Sequence, residues 1–228
     1  MTTALICAMP MELAPLVKKL GLKRVSKQRA AGERVVALYT GMGTDLATKS
    51  TEALFADFPN IERVVVFGIT GAVDDDTAIG QLIVPEKVRN SETGEDFTPH
   101  DANGHTPKGV MWTTNVITPA EELPPLLAQG VVSLDMETAA IAKCCEVRGV
   151  PWSVFRTISD RATDNSITDE VFKLAKQDGS PNWGNVAKFF LTKPYKIPAM
   201  MKLMQGARLA TDRAADAAIA AFRHSGVA

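Results

Sequence analysis

The chain has 228 residues, of which 46% are hydrophobic, and its 25 Lys and Arg nearly balance 26 Asp and Glu. That length suits one α/β domain with a sizeable core. A formal net charge of -1 gives no sign of nucleic-acid or membrane-surface binding, and no apolar run reaches the ~20 residues of a spanning helix.

The start, Met1-Thr2-Thr3-Ala4-Leu5-Ile6, lacks the basic opening of a signal peptide and enters a strand over residues 3–7. A helix is predicted over 12–20, with Leu13, Leu16, Val17 and Leu20 on one face. A strand over 35–40 leads through Gly41-Met42-Gly43 into a helix over 44–55. The β-branched run over 63–68 reads as a strand buried on both faces. Another strand is predicted over 80–88, followed by a Pro- and Gly-punctuated loop over 90–108. Strands over 110–114, 131–135 and 152–159 complete the set, with a small-residue helix after 137. From Ser180 onward the composition shifts, and helices are predicted over 182–191 and 198–222. Strands alternating with helices imply a mixed or parallel sheet covered on both faces.

Cys7, Cys144 and Cys145 are odd in number and lie in apolar surroundings, as expected of reduced thiols in a cytoplasm. His100, His105 and His224 have no metal-ligand spacing, so no bound metal is expected.

The chemistry-bearing residues gather where strands end. Glu12 follows the first strand at a helix start, where a lone Glu is also a common dipole partner. Thr40-Gly41-Met42-Gly43 and Gly68-Ile69-Thr70-Gly71-Ala72 are glycine turns that let backbone approach a ligand, though neither forms a dinucleotide fingerprint or a P-loop. Asp135-Met136-Glu137 puts two carboxylates at a strand-to-helix junction, where open α/β sheets bind ligands and where acids also serve as caps. Asp160 ends the apolar strand Arg156-Thr157-Ile158-Ser159, as a proton donor or as a cap for the next turn. Three acids at three strand ends suit glycosidic-bond cleavage, which needs an acid, a base and a grip on sugar hydroxyls.

These segments, with Ile6-Cys7-Ala8-Met9-Pro10-Met11-Glu12, Gly80-Gln81-Leu82-Ile83-Val84 and Asp135-Met136-Glu137-Thr138-Ala139-Ala140-Ile141-Ala142, resemble the nucleoside phosphorylase superfamily of the purine nucleoside and uridine phosphorylase type. They are most similar to its hydrolytic branch, the 5′-methylthioadenosine/S-adenosylhomocysteine nucleosidases. The resemblance implies a single-domain three-layer αβα sandwich around a central mixed twisted sheet. Residues 1–179 would form the catalytic domain, with 180–228 a helical extension packed on it. It implies a nucleosidase acting on a (5′-substituted) adenosine-type nucleoside without a cofactor, as a cytoplasmic homodimer. Glu12 would activate water, Glu137 would hold the ribose diol with Met136 against the sugar, and Asp160 would protonate the base. Asp135, Ile69, Thr70, Gly71 and Ser159 would complete the substrate site, and Val116 and Ile117 would face the base.

The chain departs from the branch in three places. Ile69-Thr70-Gly71-Ala72 replaces a hydroxyl residue before a glycine pair, which leaves Thr70 as the hydroxyl there. The stretch between Val88 and Val131 is shorter than in the family. The tail resembles those of phosphorylase-like proteins linked to hopanoid synthesis, so a phosphorylase using phosphate instead of water is the alternative. Phosphorylases carry arginines after the first strand and before the Gly68 turn; here those neighbourhoods read Met9-Pro10-Met11-Glu12 and Val65-Val66-Phe67. A carboxylate at Glu12 would also repel phosphate.

Overall fold

The computed structural model describes residues 2–164 and 167–224. The strands are β1 (Thr2–Cys7), β2 (Lys23–Arg24), β3 (Arg29–Ala31), β4 (Val35–Tyr39), β5 (Ile61–Ala72), β6 (Leu82–Ile83), β7 (Lys87–Asn90), β8 (Asp96–Phe97), β9 (Val110–Thr113), β10 (Val131–Asp135) and β11 (Trp152–Arg161). The helices are α1 (Pro10–Leu20), α2 (Thr44–Asp57), α3 (Leu123–Ala128), α4 (Thr138–Arg148), α5 (Asp169–Phe172), α6 (Trp183–Thr192) and α7 (Ile197–His224).

Side-chain alternation makes the layers. Along β1, Ala4 and Ile6 enter one apolar cluster while Leu5 and Cys7 enter another. Along β5, Val64 and Val66 go to the first cluster, and Val65 and Phe67 to the second. A strand's period of two sends neighbours to opposite faces, so both faces of the sheet need cover. On the first face, Ala47, Leu54 and Phe55 of α2 and Ala139 to Ala142 of α4 supply it. On the second, Leu13 and Leu16 of α1 and Ala214, Ala215 and Ala218 of α7 do. This is the α/β sandwich expected from the sequence.

The sheet is mixed, in the order β2-β3-β4-β1-β5-β10-β9-β7-β8, with β11 beside β5 and β6 beside β11. β5 is its centre. Its first half runs parallel to β1, its length runs parallel to β11, and its end meets β10 antiparallel at Gly71 and Ala72. The ends of β1, β10 and β11 are thereby gathered around the end of β5.

Three expectations change. The strand predicted over 80–88 is two short ones: β6 pairs with β11, and β7 pairs with β9. Pro85 lies between them and has no N–H to continue a ladder. The loop predicted over 90–108 contains β8, which pairs with β7. The hairpin β2–β3, α3 and α5 have no counterpart in the sequence reading.

The second half of α7 is part of the core, with Ala210, Ala214, Ala215, Ala218 and Ala221 fully buried. Small side chains let the helix axis come close to the sheet. At Gly206, in the first half of α7, an added Cβ would stand 2.7 Å from the Ser159 carbonyl oxygen of β11. No described helix is long and apolar enough to cross a membrane.

Candidate active site

Glu12 sits in the first turn of α1, after Pro10 has opened the helix at a position that needs no N–H. Its Oε2 accepts the backbone N–H groups of Ala8 at 2.9 Å and Met9 at 2.7 Å. Its Oε1 accepts the Ile69 N–H of β5 at 2.7 Å. One carboxylate therefore caps a helix and ties two strand ends together, and it is fully buried. Burial raises its pKa, against the opposing pull of Arg156 and the three N–H groups.

Gly68 is the residue that lets this happen. Its φ is +142°, and a Cβ there would lie 2.3 Å from Glu12 Oε1 and 2.9 Å from Arg156 Nη1. Any side chain would displace both charged groups.

Arg156 is 1% exposed and crosses the centre of the site from β11. Its Nη2 donates to Asp135 Oδ2 at 2.7 Å and lies 3.5 Å from Glu137 Oε2, while Nη1 is 3.8 Å from Glu12 Oε1. Nη1 also donates to the Ile69 carbonyl at 3.1 Å, and Nη2 to Thr138 Oγ1 at 2.9 Å. One guanidinium thus faces three buried carboxylates.

Asp135 is fully engaged. Beyond Arg156, it accepts the Thr138 N–H at 2.8 Å, the Thr138 hydroxyl, and Thr113 Oγ1 at 2.6 Å. It borders the cavity, but its bonds are those of an anchor that holds Arg156 and opens α4. Glu137 is less occupied: Oε1 accepts the Gly43 N–H at 3.0 Å from the Thr40-Gly41-Met42-Gly43 turn. Burial lifts its pKa to about 7; Arg156 opposes the rise and Asp135 adds to it.

Asp160 stands apart from this acidic wall, at the end of β11 opposite Gly71. Its Oδ1 accepts the Ser159 hydroxyl at 2.5 Å. Burial raises its pKa, the Ser159 bond opposes this, and Asp164 adds to it. The Thr70 hydroxyl, for its part, donates to the Leu134 carbonyl at 2.7 Å.

All eleven residues singled out in the sequence border one cavity of about 510 Å³: Glu12, Ile69, Thr70, Gly71, Val116, Ile117, Asp135, Met136, Glu137, Ser159 and Asp160. Val116 is 66% exposed, at the mouth. The sequence reading does not assign Arg156, Met9 and Met42, nor the apolar wall of Ile167, Val171 and Phe172 around α5. Among the described residues, no cluster of His, Cys, Asp or Glu is arranged to hold a metal.

The arrangement offers an acidic wall of net negative charge, a separate acid that holds its proton more tightly than usual, and an apolar enclosure. Such a site favours a substrate that develops positive charge beside the wall while its leaving group takes a proton.

A curated 5′-methylthioadenosine/S-adenosylhomocysteine nucleosidase of Shewanella piezotolerans is 23% identical over 209 residues, covering 74% of this chain and 90% of that one. Its counterpart in Shewanella denitrificans is 26% identical over the same shares. Among solved structures, a mutant nucleosidase of Helicobacter pylori with 5′-methylthioadenosine in its active site superposes with a TM-score of 0.74, at 15% identity and 98% coverage of both chains. A futalosine hydrolase mutant of the same species gives 0.74 at 15% identity, covering 98% of this chain and 99% of that one. These structures share the fold. The sequence profile of the phosphorylase superfamily matches residues 2–125 and 105–191, and on that match the chain belongs to the phosphorylase superfamily.

Proposed function

We propose that the protein is a purine nucleosidase, hydrolysing the N-glycosidic bond of a 5′-substituted adenosine-type nucleoside such as 5′-methylthioadenosine or S-adenosylhomocysteine. One observation carries the choice of water over phosphate. The central cation, Arg156, is already compensated by Glu12, Asp135 and Glu137. A phosphate entering there would meet three carboxylates and no uncommitted charge. Arg161, also on the cavity wall, bonds through its Nε only to the neutral Thr77 carbonyl and so keeps its charge, but it follows Asp160 in the chain, on the side of the proposed base rather than beside Arg156. The named relatives, nucleosidases all, support the same reading.

In this reading the Glu137 carboxylate accepts hydrogen bonds from the two ribose hydroxyls, and Met136 packs on the sugar. Val116 and Ile117 face the base, and the apolar wall of Val171 and Phe172 takes the 5′ substituent. The C1′–N bond breaks, and its electron pair leaves with the purine, which receives the Asp160 proton. Water adds to C1′ and gives a proton to Glu12. The ribose passes through an oxocarbenium-like state whose positive charge the acidic wall stabilises. The raised pKa of Asp160 suits a donor and that of Glu12 a base.

The test is base release from 5′-methylthioadenosine, S-adenosylhomocysteine, adenosine and futalosine in phosphate-free buffer. Free base and a free ribose, or its 5′-substituted form, are expected. Strict dependence on added phosphate, with a sugar 1-phosphate as product, would establish the phosphorylase alternative instead.

Asp160→Asn is expected to slow base departure by roughly 10²–10⁴-fold, the usual worth of a general acid. The amide can still hydrogen-bond the base but has no proton to give up. The loss should shrink for substrates whose base leaves easily. An equal loss for good and poor leaving groups would remove Asp160 from this role.

A further inference from the structure

The near-zero net charge conceals a segregation. Residues 179–211 hold Lys188, Lys193, Lys196, Lys202 and Arg208 and no Asp or Glu. That stretch is +5 in a chain of -1, which leaves -6 for the rest.

The same stretch is apolar on the outside. Of twelve exposed large apolar side chains among the described residues, seven lie between Trp183 and Leu209. On α6, Trp183 and Leu191 are 73% and 84% exposed and stand eight residues apart, on one face. On α7, Ile197, Met201 and Met204 follow the i, i+4, i+7 spacing of a single stripe, and Arg208 continues it. Tyr195, also exposed, lies between the two helices.

A hollow of about 210 Å³ lies behind this surface, bordered by Phe189 of α6, Met200 and Leu203 of α7, and Thr168 and Val171. Thr168 and Val171 also border the active-site cavity. The apolar, basic surface is therefore next to the site.

We propose that α6 and the first half of α7 dock the protein on an anionic lipid bilayer. Trp183, Leu191, Tyr195 and Met201 would enter the headgroup region, and Lys188, Lys202 and Arg208 would meet lipid phosphates. Trp and Tyr with long aliphatic side chains, flanked by Lys and Arg, form the composition of an interfacial helix. Lys193 and Lys196 share Glu170, at 2.7 and 3.3 Å, so the uncompensated charge rests mainly on the other three. A second copy is a poorer occupant, because a two-fold contact would set this cationic stretch against itself. Nucleic acid is poorer too, since it would leave the Ile and Met stripe in water.

Flotation of the full chain with phosphatidylcholine vesicles, with and without phosphatidylglycerol, tests this. Binding is expected only where phosphatidylglycerol is present, weakening as salt rises. The triple variant Lys188→Gln, Lys202→Gln, Arg208→Gln should bind on the order of a hundredfold more weakly, at ~1 kcal/mol per basic side chain. These residues are exposed and outside the active site, so the variant should keep its melting temperature and its turnover of soluble nucleosides. Trp183 supplies a second readout: wild-type tryptophan emission should shift to the blue with anionic vesicles, and Trp183→Phe should lose that shift. Failure to bind anionic vesicles, equal binding to neutral ones, or undiminished binding by the triple variant would overturn the proposal. So would self-association, or binding of an RNA or DNA oligonucleotide, that occupies this surface in place of lipid.

Discussion

Arg156→Met should cost about 3–5 kcal/mol of folding stability, the usual penalty for leaving buried charge without its partner. Three carboxylates, Glu12, Asp135 and Glu137, face this guanidinium away from water. Met replaces much of the stem volume, so lost packing would explain little of the change. The Asp135 carboxylate would also lose its 2.7 Å partner, and the Ile69 carbonyl its donor. Urea unfolding of the two proteins gives the difference directly. Adding Asp135→Asn to the variant should recover part of the loss, because one of the stranded charges is gone. A midpoint close to the wild type would mean that the acids are held neutral without the arginine.

Glu12→Gln should abolish base release, and it should not be a silent isostere. The native carboxylate accepts N–H groups with both oxygens: Ile69 on one side, Ala8 and Met9 on the other. An amide has one acceptor end and one donor end. Whichever way it turns, its NH₂ faces a backbone N–H in a buried place, a mismatch worth about 1–3 kcal/mol. The measurement is turnover per folded molecule, with the folded fraction taken from the variant's own denaturation curve. Wild-type turnover on every active substrate would show Glu12 to be a helix cap and nothing more.

The two variants mark what the sequence can show. Acids at strand ends announce themselves, because a charge beside an apolar run needs a reason to be there; Glu12, Glu137 and Asp160 are legible in that way. The β-branched run of β5 announces a strand buried on both faces. Arg156 lies within a conspicuous segment, yet its position at the centre is not legible. That position depends on register: β11 sets Arg156 opposite Gly68, and the missing side chain on Gly68 opens the space through which it meets Glu12. No local pattern encodes a cross-strand gap. The short elements are hidden for simpler reasons. β2 and β3 carry Lys and Arg at the sheet edge, and α3 opens with two prolines that read as loop but are tolerated in a first turn. The wall around α5 is invisible in the sequence because its residues are brought to the cavity only by the turn of chain after β11.

The last helix is also a rigid connector. Its 28 residues make a rod about 42 Å long. One end stands in the surroundings of the protein, the other is fixed among the alanines of the interior, and Gly206 rests against the Ser159 carbonyl one residue from Asp160. With no side chain at Gly206, the backbones of α7 and β11 meet directly there, and a larger residue would force the helix and the strand apart.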